Sequence, residues 1–219
     1  LMLIEPQAFT RESGNVYAHL ATAFHNFKRN PRLRALSLAS ILSYAISESS
    51  WLIRSAFIAL LWPVWALGVA QLLANAGAAV SFYFAGRIIR RFGELRLLVG
   101  GKSFSEATNL FALLIPTVLS PALMALNSVF FGVTIVAMNS LVQHEFTDEQ
   151  RATMGSLNSF VGSIVLAGFS FLLGALADLI GIMPALVLAA LLSFLPTALY
   201  WKALRRPAVI ASQMGEIGA

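Results

Sequence analysis

Apolar residues run along this chain in long uninterrupted stretches, separated by short polar or proline-bearing connectors. Six stretches approach or exceed 20 residues: 35–57, 64–85, 97–119, 122–142, 154–177 and 182–203. A helix needs about 20 mostly apolar residues to cross a bilayer core of about 30 Å. Each stretch is far too long for a strand, and the alternating apolar and polar positions of a membrane barrel are missing. The pattern therefore predicts an all-α integral membrane protein with six transmembrane helices. The third is the least apolar, with Lys102, Ser103, Ser105, Glu106 and Asn109 crowding its first half. Pro63, the Pro116–Pro121 interval and Pro184 mark short connectors, which make successive helices antiparallel neighbours.

The flanks differ in character. In residues 1–34, Val16, Leu20, Phe24 and Phe27 recur every three to four positions, opposite His19, His25 and Lys28. This is the pattern of an amphipathic helix lying along a membrane surface, followed by a turn at Asn30-Pro31. Residues 35–203 form the six-helix bundle, and 204–219 a short tail. Composition agrees: 58% of the 219 residues are hydrophobic and 11% charged, against about 25% charged in a soluble domain. Mean hydropathy is +0.77.

Charge then sets orientation. A net charge of +5 could suggest a nucleic-acid partner, but the basic residues fall in short clusters between apolar runs. Fourteen of the fifteen lie in residues 1–34, between 87 and 102, at Arg151 or between 202 and 206, with Arg54 alone near the opposite side. Basic loops stay cytoplasmic, so both ends of the bundle are expected inside. No cysteine is present, which removes thiolate metal and redox chemistry.

An internal repeat lies in the turns. Gly86-Arg-Ile-Ile-Arg90-Arg-Phe-Gly93 ends the second span, and Gly174-Ala-Leu-Ala-Asp178-Leu-Ile-Gly181 ends the fifth, 88 residues later. One turn faces inside and the other outside, so helices 1–3 and 4–6 read as inverted three-helix repeats, an arrangement found in transporters.

At these residues the chain resembles the major facilitator superfamily of secondary transporters, specifically its C-terminal six-helix half. Gly86, Ile88, Arg91 and Gly93 fit the family's signature turn between its second and third helices, which is echoed between the eighth and ninth. Arg90 stands where that signature has Asp, and Glu94 where it has a base. Thr147-Asp-Glu-Gln-Arg151-Ala-Thr-Met-Gly155-Ser is similar to the family's turn into its eleventh helix, Leu1–Pro6 to the end of a sixth helix, and residues 7–34 to the central cytoplasmic linker. The resemblance implies half of a twelve-helix fold, with a six-helix N-terminal half as partner, a small-molecule substrate, and the inner membrane of a bacterium as its place.

Glu48 lies near the middle of the first span, about 18 Å deep at 1.5 Å per residue. A carboxylate there costs at least about 2.5–3.5 kcal/mol unless it is protonated, paired or wet. With Ser37, Ser40, Tyr44, Trp51 and Ser55 it forms a polar-aromatic stripe. The resemblance turns this stripe toward a central cavity; the alternative is a hydrogen-bonding seam between helices. Gln71 and Asn75 share a face of the second helix, and Asn139 and Asn158 lie toward the inner ends of the fourth and fifth. Each could line the cavity or bridge helices. Arg54, six residues from Glu48, points to a different face and reads as an outer-interface anchor. Lys102 and Glu106 have the i,i+4 spacing of a mutually neutralising pair. Arg87, Arg90 and Arg91, between Gly86 and Gly93, set topology and are candidates for gating; Gly174, Asp178 and Gly181 are their repeat counterparts.

Other chemistry is excluded by position. Gly101-Lys102-Ser103 resembles the end of a phosphate-binding loop, but Arg96 occupies the required earlier glycine position. His19, His25 and His144 fall outside the spans, which argues against an intramembrane serine protease or a metal centre. No cofactor and no enzymatic activity are expected. Two function classes remain: half of an alternating-access transporter of a small solute, proton-coupled through Glu48, or a helical membrane module that binds partners without transporting, including an inactive fragment. The topology is directly testable. Reporters placed at residue 148 or after residue 206 should read cytoplasmic, and those near 119 and 180 external; an external C-terminus would contradict the orientation.

Overall fold

The computed structural model describes residue 27, residues 30–144 and residues 148–205, with backbone alone at 144, 148–153 and 204. The expected surface helix before residue 27, the expected end of a preceding helix at Leu1–Pro6 and the tail from Arg206 lie outside the described residues. So do the Arg151 side chain and part of the Thr147–Ser156 turn. Among the described residues every regular element is a helix.

Helix α1 spans Pro31–Leu61. Asn30 starts it: its Oδ1 accepts from the backbone N–H groups of Arg32 and Leu33, both at 3.0 Å, and Pro31 takes the first position, where no N–H is needed. Trp62 before Pro63 is forced extended (φ −122°, ψ 150°) and ends it. A 3₁₀ turn, Val64–Ala66, leads into α2, Leu67–Phe92. Helix α3 is Glu94–Leu114; the short α4, Ser120–Leu126, runs on into α5, Ser128–His144. Helix α6 is Asp148–Ile180. Helices α7, Ile182–Leu192, and α8, Phe194–Leu204, are two segments of one broken rod. The break follows from Pro196, which cannot donate to Leu192 and crowds its carbonyl.

Five helical segments are long and apolar enough to cross a membrane: Pro31–Leu61, Val64–Phe92, Ser120–Gln143, Met154–Ile180 and Ile182–Ala203. The third expected span, 97–119, also forms a helix, α3, but is not among these five. Its charges, Glu94, Arg96, Lys102 and Glu106, set it apart.

The helices pack in a definite pairing. The most extensive contacts join α2 to α5 and α1 to α6; α3 lies against α5, and α1 against α8 and α7. Close approach is built in: a Cβ on Gly132 of α5 would lie 2.5 Å from the backbone nitrogen of Phe82 on α2. Beside it the Ser81 hydroxyl accepts from the Val133 N–H at 3.0 Å. In the α1–α6 seam, Ser49 and Ser170 share a hydroxyl hydrogen bond of 2.7 Å. At the connector ends, the Trp62 indole donates to the Val118 carbonyl at 2.7 Å, bringing the C-terminal ends of α1 and α3 to one side.

Two junctions repeat. Gly93 and Gly181 alone have positive φ among the described residues, with φ/ψ of 82°/145° and 95°/159°, a region that only glycine occupies freely. Gly93 N–H bonds the Ile89 carbonyl at 2.8 Å and Gly181 N–H the Ala177 carbonyl at 3.0 Å. The carbonyls of Gly93 and Gly181 in turn accept from Leu97 N–H at 3.2 Å and Ala185 N–H at 3.3 Å. All four partners are offset by the same 88 residues. Helix α2 thus turns into α3 as α6 turns into α7.

Ordinary side chains are strained in this conformation even with open space around them. Gly181→Ala should therefore lower stability by about 1–3 kcal/mol, although its Cβ would meet only Pro184 Cδ at 3.8 Å. Gly100→Ala, inside α3 with nothing within 4 Å, should be neutral or stabilising. Thermal unfolding in detergent checks the contrast, and equal effects would contradict it.

Candidate functional site

Three rods converge on one buried carboxylate. Along α1, α3 and α7–α8, an apolar cluster at one end contains Leu36, Leu98 and Tyr200. A second, at the other end, contains Phe57, Leu113 and Leu186. Between them in sequence on each rod stand polar groups: Ser47, Ser50 and Arg54 on α1, Glu106 and Asn109 on α3, and Ser193 at the α7–α8 break. These six line one cleft with a volume of about 70 Å³. Leu113, Met124, Leu186 and Ala190 complete its wall.

Glu106 is 7% exposed. Lys102, one turn earlier on α3, and Arg54, across the cleft on α1, both act electrostatically on its carboxylate. Ser193 lines the same cleft, and its hydroxyl donates to the Ala189 carbonyl at 3.1 Å. The position of Ser193 comes from the backbone break that Pro196 imposes three residues on. Asn127, between α4 and α5, donates from Nδ2 to Asn109 Oδ1 at 2.7 Å. Its own buried Oδ1 has no hydrogen-bond partner among the described residues.

This grouping adds partners that the sequence reading did not name. Arg54 lines the cleft that Glu106 lines. Beside the Lys102–Glu106 pair stand Arg54 and Ser193, from two other rods. The spacing test considered partners on the same helix, and the missed partners come from across the bundle. A legible signal was available. Unlike charges in the first and third spans both needed neutralisation away from water, and each is the natural partner of the other.

Arg54 also reaches the exposed side. Its guanidinium carbon lies 5.2 Å from the centroid of the Trp51 ring, a cation–π arrangement. A second, wider cleft of about 470 Å³ is lined by Trp51, Arg54, Gln71, Ala74 and Met124 among others. Arg54 and Met124 belong to both clefts, so the two are neighbours.

The sequence-derived candidates divide. Trp51 and Gln71 come together in the wider cleft, and Gln71 Nε2 donates to Asn75 Oδ1 at 3.3 Å. Tyr44, 46% exposed, rests its ring near Gly162 of α6, where a Cβ would lie 3.4 Å from Cδ1. Glu48 is exposed on α1, one turn before Trp51. Asn158 bridges α6 to α1 instead, donating to Ser37 Oγ at 3.4 Å. Asn139 is exposed on α5 and lines neither cleft.

The arginines after Gly86 stack on their own helix. Arg87 lies 6.0 Å from the Tyr83 ring centroid and 5.8 Å from that of Phe84, and Arg91 lies 5.6 Å from that of Phe92. Arg90 and Arg91 stand in the last turn of α2, where cations complement the helix dipole. Asp178 is exposed near the equivalent end of α6, and Gly174 has open space around it. Ala74 and Gly77 of α2 are packed: Ala74 is buried, and a Cβ on Gly77 would strike Ser128 Oγ. Among the described residues no group of three or more His, Cys, Asp or Glu could hold a metal. Compared with protein-family models and with curated proteins, the chain matches none.

Proposed function

We propose that this chain forms six transmembrane helices arranged as two inverted three-helix repeats, the C-terminal half of a major-facilitator-type transporter that moves a small solute by alternating access. The observation that carries this reading is the repeated glycine junction, Gly93 and Gly181, with the same backbone conformation and hydrogen-bond partners at one offset. The packing supports it. Exchanging the first three rods with the last three sends the α2–α5 contact onto α6–α1, and α3–α5 onto the α7–α8 rod against α1. Such repeats let one bundle rock against another around a site near the midplane.

On this reading α3 crosses the membrane despite its charges, because Glu106 and Lys102 are turned into the bundle and neutralised there. Both ends of the bundle are cytoplasmic, in a bacterial inner membrane. The exposed faces of α1 and α2, carrying Tyr44, Glu48, Trp51, Gln71 and Asn75, meet a six-helix partner across a central cavity. Arg87, Arg90 and Arg91 take part in closing its inner side. Glu48, exposed to that cavity, gains and loses a proton as access alternates, which ties solute movement to a proton gradient.

Proteoliposomes holding this segment with its completing six helices test the proposal. Under an imposed pH gradient, at least one solute in a panel of small carboxylates, amines and sugars should accumulate. Glu48→Gln, which keeps size and hydrogen bonding but fixes a neutral side chain, should abolish accumulation and spare exchange; Glu48→Asp should retain part of it. Accumulation of no solute would contradict transport. Normal accumulation by the Gln variant would contradict the coupling role alone.

A further inference from the structure

The narrow cleft at Glu106 has polar walls and little room. Its volume of about 70 Å³ suits about two to four waters, at roughly 15–30 Å³ each, and is too small for most organic guests. Arg54 and Glu106, the two charged groups on its wall, balance each other, so an ion of either sign would leave a net charge in a low-dielectric bundle. The hydrogen bonds on the wall are incomplete. Ser50 uses its one donor on the Ile46 carbonyl at 2.7 Å, and Ser193 uses its own on that of Ala189 at 3.1 Å, which leaves each oxygen only lone pairs to offer. Asn109 accepts from Asn127 through Oδ1 and keeps its amide donors. An ionised Glu106 only accepts, and Arg54 only donates. Donors and acceptors thus line one small space. The unmet demand continues behind it, where the buried Asn127 Oδ1 has no hydrogen-bond partner among the described residues.

We propose that the narrow cleft is a water-binding site, in which about two to four ordered waters bridge Arg54, Asn109, Ser50 and Ser193 to the Glu106 carboxylate. A water both donates and accepts, so a few of them serve every group on this wall, which an ion of one sign cannot do. Arg54 remains the counter-charge across the cleft, and the waters supply the short contacts between donors and acceptors. Arg54 and Met124 also line the wider cleft. The waters therefore adjoin that cleft, and solvent reaches Glu106 from it although the side chain is only 7% exposed. Hydration of this kind lowers the several kcal/mol that an ionised group costs in a dry interior. The cleft lies within these helices, so the proposal stands or falls on this chain alone, independently of transport.

Hydroxyl-radical footprinting of the chain in phosphatidylcholine nanodiscs tests this, because radicals made by X-ray radiolysis of bound water modify the side chains beside it. Met124 lines the cleft and is 3% exposed. Met138 is half-buried and packs against the apolar cluster of Leu36, Leu98 and Tyr200. Exposure alone makes Met138 the faster to oxidise. Water in the cleft reverses the order, and Met124 should be oxidised about fivefold faster or more. Ala190, also on the cleft wall, gives the second arm. Ala190→Val and Ala190→Leu put apolar atoms where the waters lie. Met124 oxidation should fall stepwise, by about threefold or more with Leu, while that of Met138 stays constant; if the Leu variant does not fold, the fall with Val decides. Slower oxidation of Met124 than of Met138 would overturn the proposal. So would an unchanged Met124 rate in the filled variants, which would trace the radicals to the wider cleft alone. A filled variant more stable to heat than the parent would also overturn it, since a dry void gains packing when filled.

Discussion

A carboxylate held away from water must be neutralised, and the packing of α1, α3 and the α7–α8 rod answers that demand at Glu106. The side chain sits on the least apolar helix of the bundle and is nearly enclosed. A buried ionised group without partners costs several kcal/mol even after relaxation. Here cations act on it from two helices, Lys102 from the next turn of α3 and Arg54 from α1, and Ser193, from a helix broken by proline, lines the same cleft. The apolar clusters at either end fix how closely the rods approach, and the polar layer fixes which faces they present. Apolar packing alone tolerates rotation of a helix about its axis. A charged layer does not.

The other seams follow the economy expected where lipid is as apolar as the helix surface: small residues and short hydrogen bonds rather than bulk hydrophobicity. Gly132 against Phe82, the Ser81 hydroxyl on a backbone N–H and the Ser49–Ser170 pair are the means by which α2 joins α5 and α1 joins α6. These two seams are counterparts under exchange of the helix triplets. At the connectors the glycine turn recurs with the same backbone conformation at Gly93 and Gly181.

Much of the fold was legible because it rests on local signals. Apolar run length located the rods, Pro63 the end of α1, and the paired glycines the tight turns; Asn30-Pro31, read as a turn, proves to cap α1 four residues ahead of the expected span. The breaks at Asn127 and Ser193 were missed: Pro196 lies within an unbroken apolar run, and only its missing N–H tells of the interruption. The site was half legible. Trp51 and Gln71 come together as two exposed polar faces should, whereas Asn158 went into a seam with Ser37, an outcome that amide chemistry permits equally well. The buried cluster was hidden because Arg54 and Glu106 are distant in sequence and neither has periodicity to betray the other. Pairing across helices is a tertiary property, and here it is signalled only by the energetic need of each charge.

That pairing is tested most directly by a double-mutant cycle on Arg54 and Glu106, read as thermal or denaturant unfolding of the chain in one detergent. Arg54→Gln and Glu106→Gln should each destabilise, since each removes one side of the attraction between α1 and α3. The double variant should lose less than the sum of the two, with an interaction energy of about 0.5–3 kcal/mol, the range for groups in one charge network. Strictly additive losses, or single variants as stable as the parent, would show that α1 and α3 are not joined through these charges.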